Sequence, residues 1–315
     1  MTRHSARALV LGCGGTLGFA WTAAVLDALH TRAGWDPREA DVLVGTSAGA
    51  EAVAMLGAGI PAKAILGALA GTTDGDAVVA AHVRRVPSRF PPVPFPRWPA
   101  AKLARAALRR DVDTLAGLAG LLPQGRGDAG WLRELGDALA PGGWVPHPAT
   151  WLIATDPVGG RVVLGAAGAP SARLGEAIAA SWAIPGWFPP SVVDGRPLLD
   201  GGTVSPTSAD LLLGHDVGEV VLIAPMSSEG GAPARGPARL ERLLRTAMTR
   251  RVDDEARRLR AAGVRVVRIE PGPADLAAMG ANFMDGRRRD HVLATALRTA
   301  PGLVADAFER EGVRA

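Results

Sequence analysis

The sequence predicts an α/β fold with a mostly parallel central sheet, on three observations. Continuous apolar runs at Arg7–Leu11 and Asp41–Val44 have the character of strands buried on both faces. Apolar residues at helical spacing alternate with them, at Phe19–Arg32 and Ala48–Leu56. Strand, helix and strand then follow one another at the size of a βαβ unit, whose crossover is right-handed. With 315 residues, 48% hydrophobic and 21% charged, the chain can bury a full core and is too apolar for wholesale disorder.

The first strand must be told from a targeting segment. Ala8 to Leu26 is uncharged and follows Arg3 and Arg7, as a secretion signal would. The apolar run before Cys13 is only Ala8-Leu9-Val10-Leu11, however, where a signal core needs about 7–15 residues. Gly12, Gly14, Gly15 and Gly18 also break the stretch before it reaches a membrane span of about 20 residues. The expectation is a buried strand running into a glycine turn, with no signal peptide or transmembrane helix.

From Val86 to Trp98, six prolines around the stretch (Pro87 to Pro99) interleave with Phe90, Phe95 and Trp98, so no regular element persists. A basic amphipathic helix at Lys102–Arg110 and an apolar one at Asp113–Leu122 follow, and this block reads as a helical, proline-rich cap insertion over about 86–145. The core resumes with strands at Thr150–Thr155, Arg161–Leu164 and Glu219–Ala224. An arginine-rich helix at about 237–262, a strand at Val264–Ile269 and a helix near 286–300 complete the chain. Gly230–Gly236 is the most linker-like stretch but too short to force a boundary, so 1–315 reads as a single domain with its core at about 7–225.

Composition excludes several functions. Lys63 and Lys102 are the only lysines beside 33 arginines, yet 31 acids hold the net charge to +4. Arginines and acids are mixed, as at Arg250–Arg260 with Asp253, Asp254 and Glu255, so no nucleic-acid partner is expected. Absence of tyrosine excludes a tyrosyl acid or nucleophile. A single cysteine, Cys13, excludes an internal disulfide and any multi-cysteine metal site, and fits a reducing, cytoplasmic setting. No calcium or zinc ligand cluster is apparent, and no cofactor is expected.

The strongest chemical signal is Gly45-Thr46-Ser47-Ala48-Gly49, between a buried strand and a helix. That is the setting of a nucleophile elbow: flanking glycines allow the sharp turn, and the helix N-terminus favours negative charge at the serine. A serine that merely caps the helix would leave the same trace. On the preceding strand, Gly12-Cys13-Gly14-Gly15-Thr16-Leu17-Gly18 ends at the same carboxyl edge of the sheet. Backbone N–H groups of Cys13, Gly14 and Gly15 can converge there on an oxyanion. A dinucleotide turn fits poorly, because Leu17 stands where the third glycine of Gly-x-Gly-x-x-Gly belongs. The third element is Leu198-Leu199-Asp200-Gly201-Gly202, which alone is an ordinary Asp-Gly turn.

Together, in this order and setting, the three resemble the patatin-like phospholipases, serine acyl hydrolases with a Ser–Asp dyad. Ala180-Ser181-Trp182-Ala183-Ile184-Pro185-Gly186-Trp187-Phe188-Pro189-Pro190 is similar to the segment that family carries before its Asp-Gly-Gly turn. Ala154-Thr155-Asp156 with Gly160-Arg161 is similar to its central strand pair, and Gly280–Arg289, with Asn282, Met284 and Asp285, to the tail of bacterial members. The resemblance runs from about residue 7 to 225, with a weaker echo to 300. It implies a three-layer α/β/α patatin-like fold, Ser47 as nucleophile, Asp200 as base, and the 13–15 backbone as oxyanion hole. Gly18, Gly45, Gly49, Gly201 and Gly202 are then the motif glycines, and the substrate is a lipid ester, with peripheral membrane contact. Cys13 stands where the family has glycine, and Leu17 where it has a basic residue.

Two other readings remain open at this level. A Ser-His-Asp esterase needs an imidazole, which His215 or His291 can supply. A non-catalytic lipid- or acyl-chain-binding protein with a degraded site is suggested by Cys13 and Leu17. Trp182, Trp187 and Phe188 are expected to line or support an acyl pocket, and Arg109 and Arg110 to meet anionic head groups.

Overall fold

The structure is a computed structural model that describes residues 6–85, 87–231, 236 and 238–312. In chain order the first elements are β1 (Ala6–Leu11), α1 (Gly15–Ala33), β2 (Val42–Thr46), α2 (Ala48–Gly57), α3 (Ala62–Ala70) and α4 (Ala77–Val83). Next come α5 (Ala101–Leu108), α6 (Thr114–Ala119), α7 (Gly130–Leu139), β3 (Thr150–Thr155), β4 (Arg161–Leu164) and α8 (Leu174–Ser181). The chain continues with β5 (Ser191–Val193), β6 (Arg196–Asp200), β7 (Val217–Ile223), α9 (Ala238–Ala261), β8 (Arg265–Ile269), α10 (Pro273–Met279) and α11 (Arg289–Arg310).

The sheet order is β5-β6-β3-β2-β1-β7-β8, with β4 paired to β3. The run β3-β2-β1-β7-β8 is parallel, as the continuous apolar strands require. Alternate residues serve opposite faces. Leu9, Leu11 and Leu43 enter the larger core with α1, α2, α8 and α11, whereas Ala8, Val10 and Val44 meet Val252, Ala256 and Leu259 of α9. The result is three layers, helix on sheet on helix, as expected.

The register of β3 decides where the site forms. One side of β3 pairs with β4 from Leu152↔Leu164 to Thr155↔Arg161. Its other side pairs with β2 only as far as Thr46↔Ile153, and from Ala154↔Asp200 onward with β6. The carboxyl ends of β2 and β6 therefore meet head-on beside β3. Ser47 follows one and Asp200 closes the other.

Several elements depart from the sequence reading. Helix α1 begins at Gly15, four residues before the expected Phe19, directly from the glycine loop. Helix α11 does not stop near residue 300 but continues through Pro301 to Arg310, burying Val304, Ala307 and Phe308. The block expected as one insertion divides: α7 buries Leu132 and Leu135 in the main core, while α5 and α6 stand over the sheet edge. There Leu103 of α5 packs with Leu199 of β6. Val86, the first residue of that block, residues 232–235 of the linker-like stretch and residue 237 lie outside the described residues. Among the described residues, no helix is long and apolar enough to cross a membrane.

Candidate active site

Ser47 occupies the turn between β2 and α2 with φ 56° and ψ −119°, a conformation that strains any residue with a Cβ. The turn is held in two ways. The Ser47 N–H donates to Ser181 Oγ at 2.8 Å, and that hydroxyl donates to the Ile153 carbonyl at 2.6 Å. The glycines do the rest by having no side chain: a Cβ on Gly49 would lie 2.0 Å from the Leu11 carbonyl oxygen, and one on Gly45 would lie 2.5 Å from the Gly49 oxygen. Helix α2 thereby lies directly against β1 and the glycine loop. Sequence reasoning placed Ser181 inside the family-like segment at 180–190 but gave it no role.

Asp200 is equally buried, at 4% exposure against 2% for Ser47. Its N–H donates to the Ala183 carbonyl at 3.0 Å, and its Oδ1 accepts the Gly202 N–H at 2.6 Å. Burial pushes the carboxyl up to about 7, while hydrogen bonding to the Ser47 side chain and the Gly202 N–H pulls the other way. Gly201 fits its place because a Cβ there would lie 2.5 Å from the Ile153 carbonyl oxygen, and Gly202 because one there would lie 3.1 Å from Cys13 Sγ.

The glycine loop corrects one expectation. The Cys13 N–H donates to the Pro206 carbonyl at 2.8 Å, so it is spent within the fold. Among the described residues, the Gly14 and Gly15 N–H groups find no acceptor in the protein. The candidate oxyanion donors narrow to these two, at the N-terminus of α1, where the helix dipole favours an anion. The left-handed conformation falls on Gly15 (φ 56°) and not on Cys13, so the cysteine imposes no backbone strain. Its side chain is buried, and burial together with the Asp200 charge pushes the thiol pKa up, so it stays protonated. Leu17 is fully buried in the core and donates its N–H to the Phe283 carbonyl at 3.1 Å. Gly18 and Gly14 instead leave room for the Pro225 ring.

A mainly apolar cavity of about 300 Å³ opens over Ser47, Asp200, Gly14 and Gly15, at the lower end of the size range of small-molecule sites. Leu115, Leu118 and Leu122 wall it from the α6 side, and Leu244 and Met248 from α9. The 180–190 segment contributes Ile184 and Pro185, whereas Trp182 and Phe188 pack behind them against each other, with Trp131 beyond. These aromatics support the wall and do not line it. The larger cleft, about 840 Å³, has charged walls including Asp253, Arg260, Arg268 and Glu311, and contains none of the predicted site residues. No group of three or more His, Cys, Asp or Glu able to hold a metal occurs among the described residues.

Neither candidate histidine reaches the site. His215 is exposed, edge-on to Trp151 with ring centroids 5.0 Å apart, just before β7 begins. Strands β7 and β2 both run parallel to β1, so His215 sits at the amino edge and Ser47 at the carboxyl edge. His291 is exposed on the first turn of α11. Accordingly, His215→Ala and His291→Ala are each expected to keep ester hydrolysis within about twofold of wild type, where loss of a general base costs about 100-fold or more. Initial rates on a soluble ester check this.

A match to the family described as patatin-like phospholipase covers residues 9–213, which hold the glycine loop, the serine turn and Asp200. The chain belongs to the patatin-like phospholipase family. This is a family of lipid acyl hydrolases. No curated protein matches the chain. Among solved structures, VipD from Legionella pneumophila is 15% identical with a TM-score of 0.44, over 96% of this chain and 67% of that one. The type III effector protein ExoU is 22% identical with a TM-score of 0.38, over 96% of this chain but only 53% of its own length. The patatin-like match stops at residue 213, so α9, which walls the cavity, lies beyond it.

Proposed function

We propose that the protein is a serine acyl hydrolase cleaving carboxylic ester bonds of lipids, with Ser47 as nucleophile, Asp200 as base, and the Gly14 and Gly15 N–H groups as oxyanion donors. The observation that carries this reading is one apolar cavity, of about 300 Å³, onto which a strained serine, a buried carboxylate and two unspent N–H groups all open. Asp200 accepts the Ser47 hydroxyl proton as Oγ attacks the ester carbonyl. The carbonyl oxygen takes up the charge against the glycine loop. Collapse expels the alcohol, protonated by Asp200, and leaves the acyl group on Ser47. Water then attacks the acyl-enzyme, gives its proton to Asp200, and the fatty acid departs as Ser47 is reprotonated.

The substrate class follows from the walls. A cavity lined by leucine, isoleucine and methionine accepts an acyl chain and offers nothing to a polar one. Of its lining residues Leu118 and Leu122 are half exposed, and Leu240 and Leu243 are exposed on α9 just before Leu244. Phe95 and Trp98 are exposed nearby in the chain, and Arg109 and Arg110 are exposed at the end of α5. Such a surface suits peripheral contact with an anionic lipid layer, which we place on the cytoplasmic side.

Incubation with vesicles of phosphatidylcholine and phosphatidylglycerol is expected to release long-chain fatty acid, and an alkyl fluorophosphonate to label Ser47. Folded protein that does neither would overturn this reading and support the alternative, a lipid-binding protein without catalysis.

A further inference from the structure

Arg245 lies on α9, between Leu244 and Met248 of the cavity wall, and is itself buried at 3% exposure. A buried guanidinium is costly unless its donors are taken up, and here they are. Nε and Nη2 each reach Glu241 Oε1 at 2.8 Å, one turn earlier on α9. Nη1 donates to the Pro225 carbonyl at 2.6 Å and, at 3.3 Å, to that of Ser227. The planar fork therefore ties α9 to the turn that follows β7.

That turn seats the glycine loop. A Cβ on Gly14 would lie 2.9 Å from Pro225 Cγ, and one on Gly18 3.3 Å from Pro225 Cβ, so the proline ring rests against both glycines. One residue before the turn begins at Ala224, the Ile223 carbonyl accepts the Gly12 N–H at 2.9 Å. Met226, which follows Pro225, lines the cavity.

We propose that Arg245 is a positioning residue of the reaction: it holds the Pro225–Ser227 turn against the glycine loop, which fixes Gly14 and Gly15 as oxyanion donors. Donors misplaced by a fraction of an ångström lose most of their effect on the transition state while binding of the neutral ester is unchanged. This role rests on the serine-hydrolase reading and extends it to a helix beyond the family match.

Arg245→Lys, Arg245→Met and the double variant E241Q/R245M test it on a soluble short-chain nitrophenyl ester, with fluorophosphonate titration counting competent sites. The double variant removes the buried guanidinium and its carboxylate together, so no lone carboxylate is left to unfold the protein; Arg242, the other partner of Glu241, is less buried and also donates to the Leu276 carbonyl. Its kcat per folded molecule is expected to fall about tenfold or more with KM within about twofold, since only the oxyanion donors are disturbed. Arg245→Lys keeps the charge but not the two-carbonyl fork, and is expected to recover part of the loss. Wild-type kcat in folded Arg245→Lys and E241Q/R245M would overturn the role, as would a loss carried by KM alone. Wild-type protein that shows no Ser47-dependent hydrolysis would instead overturn the hydrolase reading itself, and this role with it.

Discussion

Ser47→Ala is expected to lower ester hydrolysis about 10³-fold or more in kcat while leaving the protein folded, because no other group in the cavity can take over covalent attack. Besides Ser47, the cavity-lining hydroxyl and thiol groups are Thr203 and Cys13; the thiol is held protonated by burial, and the threonine lies outside the glycine-flanked turn at the N-terminus of α2. The backbone gives a second, independent readout. At φ 56° and ψ −119° an alanine is as strained as the serine it replaces, whereas glycine is at ease there. Ser47→Gly should therefore be more stable than Ser47→Ala by about 1 kcal/mol, seen as a higher denaturant midpoint at equal slope. Both variants should be inactive and unlabelled by fluorophosphonate. Retained hydrolysis in either would move the nucleophile elsewhere. Equal stability of the two would mean that the elbow stores no strain.

The parallel half of the fold was legible because its strands are buried on both faces. Leu9 and Leu11 look one way, Ala8 and Val10 the other, and each meets a layer that is mainly apolar. Helix α1 was legible only from Phe19, since Gly15 and Gly18 have poor helix propensity. Their reason for being there is the Pro225 ring and the Phe283 and Met284 side chains, contributed by distant parts of the chain. Pro301 misled in the same direction. An internal proline costs about 3 kcal/mol, yet the residues beyond it bury Val304, Ala307 and Phe308, and that burial offsets the lost bond.

For the site, the serine turn and the Asp-Gly-Gly turn stand out by composition, but their meeting does not. It depends on β6 taking over the edge of β3 at Ala154, where β2 leaves it at Ile153. A sequence also does not say which N–H groups of a glycine loop are already spent. Cys13 loses its place as a donor because Pro206, far along the chain, offers a carbonyl at 2.8 Å. Arg245 was hidden for a related reason: among so many arginines, nothing but three-dimensional placement separates a buried clamp from a solvated charge.

Asp200→Asn is expected to lose activity and gain stability, and both effects grow as pH rises. As base, Asp200 must be ionised, so wild-type kcat/KM should rise with pH through a limb centred near its pKa of about 7 and then level off. The asparagine variant should lie about 10²–10⁴-fold lower. For stability, the folded-state pKa is raised from 3.8 to about 7, so the folded protein binds the extra proton between those values. Stability from the neutral carboxyl is fully present below about 3.8 and is lost as pH rises toward 7. The rise corresponds to roughly 4 kcal/mol as an upper bound at pH 8, before any local relaxation. Asparagine keeps an oxygen for the Gly202 N–H and never ionises. Asp200→Asn should accordingly melt above wild type at pH 8, with the gap closing as pH falls toward 4. A gap independent of pH, or an activity limb centred near 4, would mean that the carboxylate is well solvated, and would remove the reason for its choice as base. Both signs appearing together would identify a carboxylate kept at a cost to folding because the reaction needs it ionised in a dry pocket.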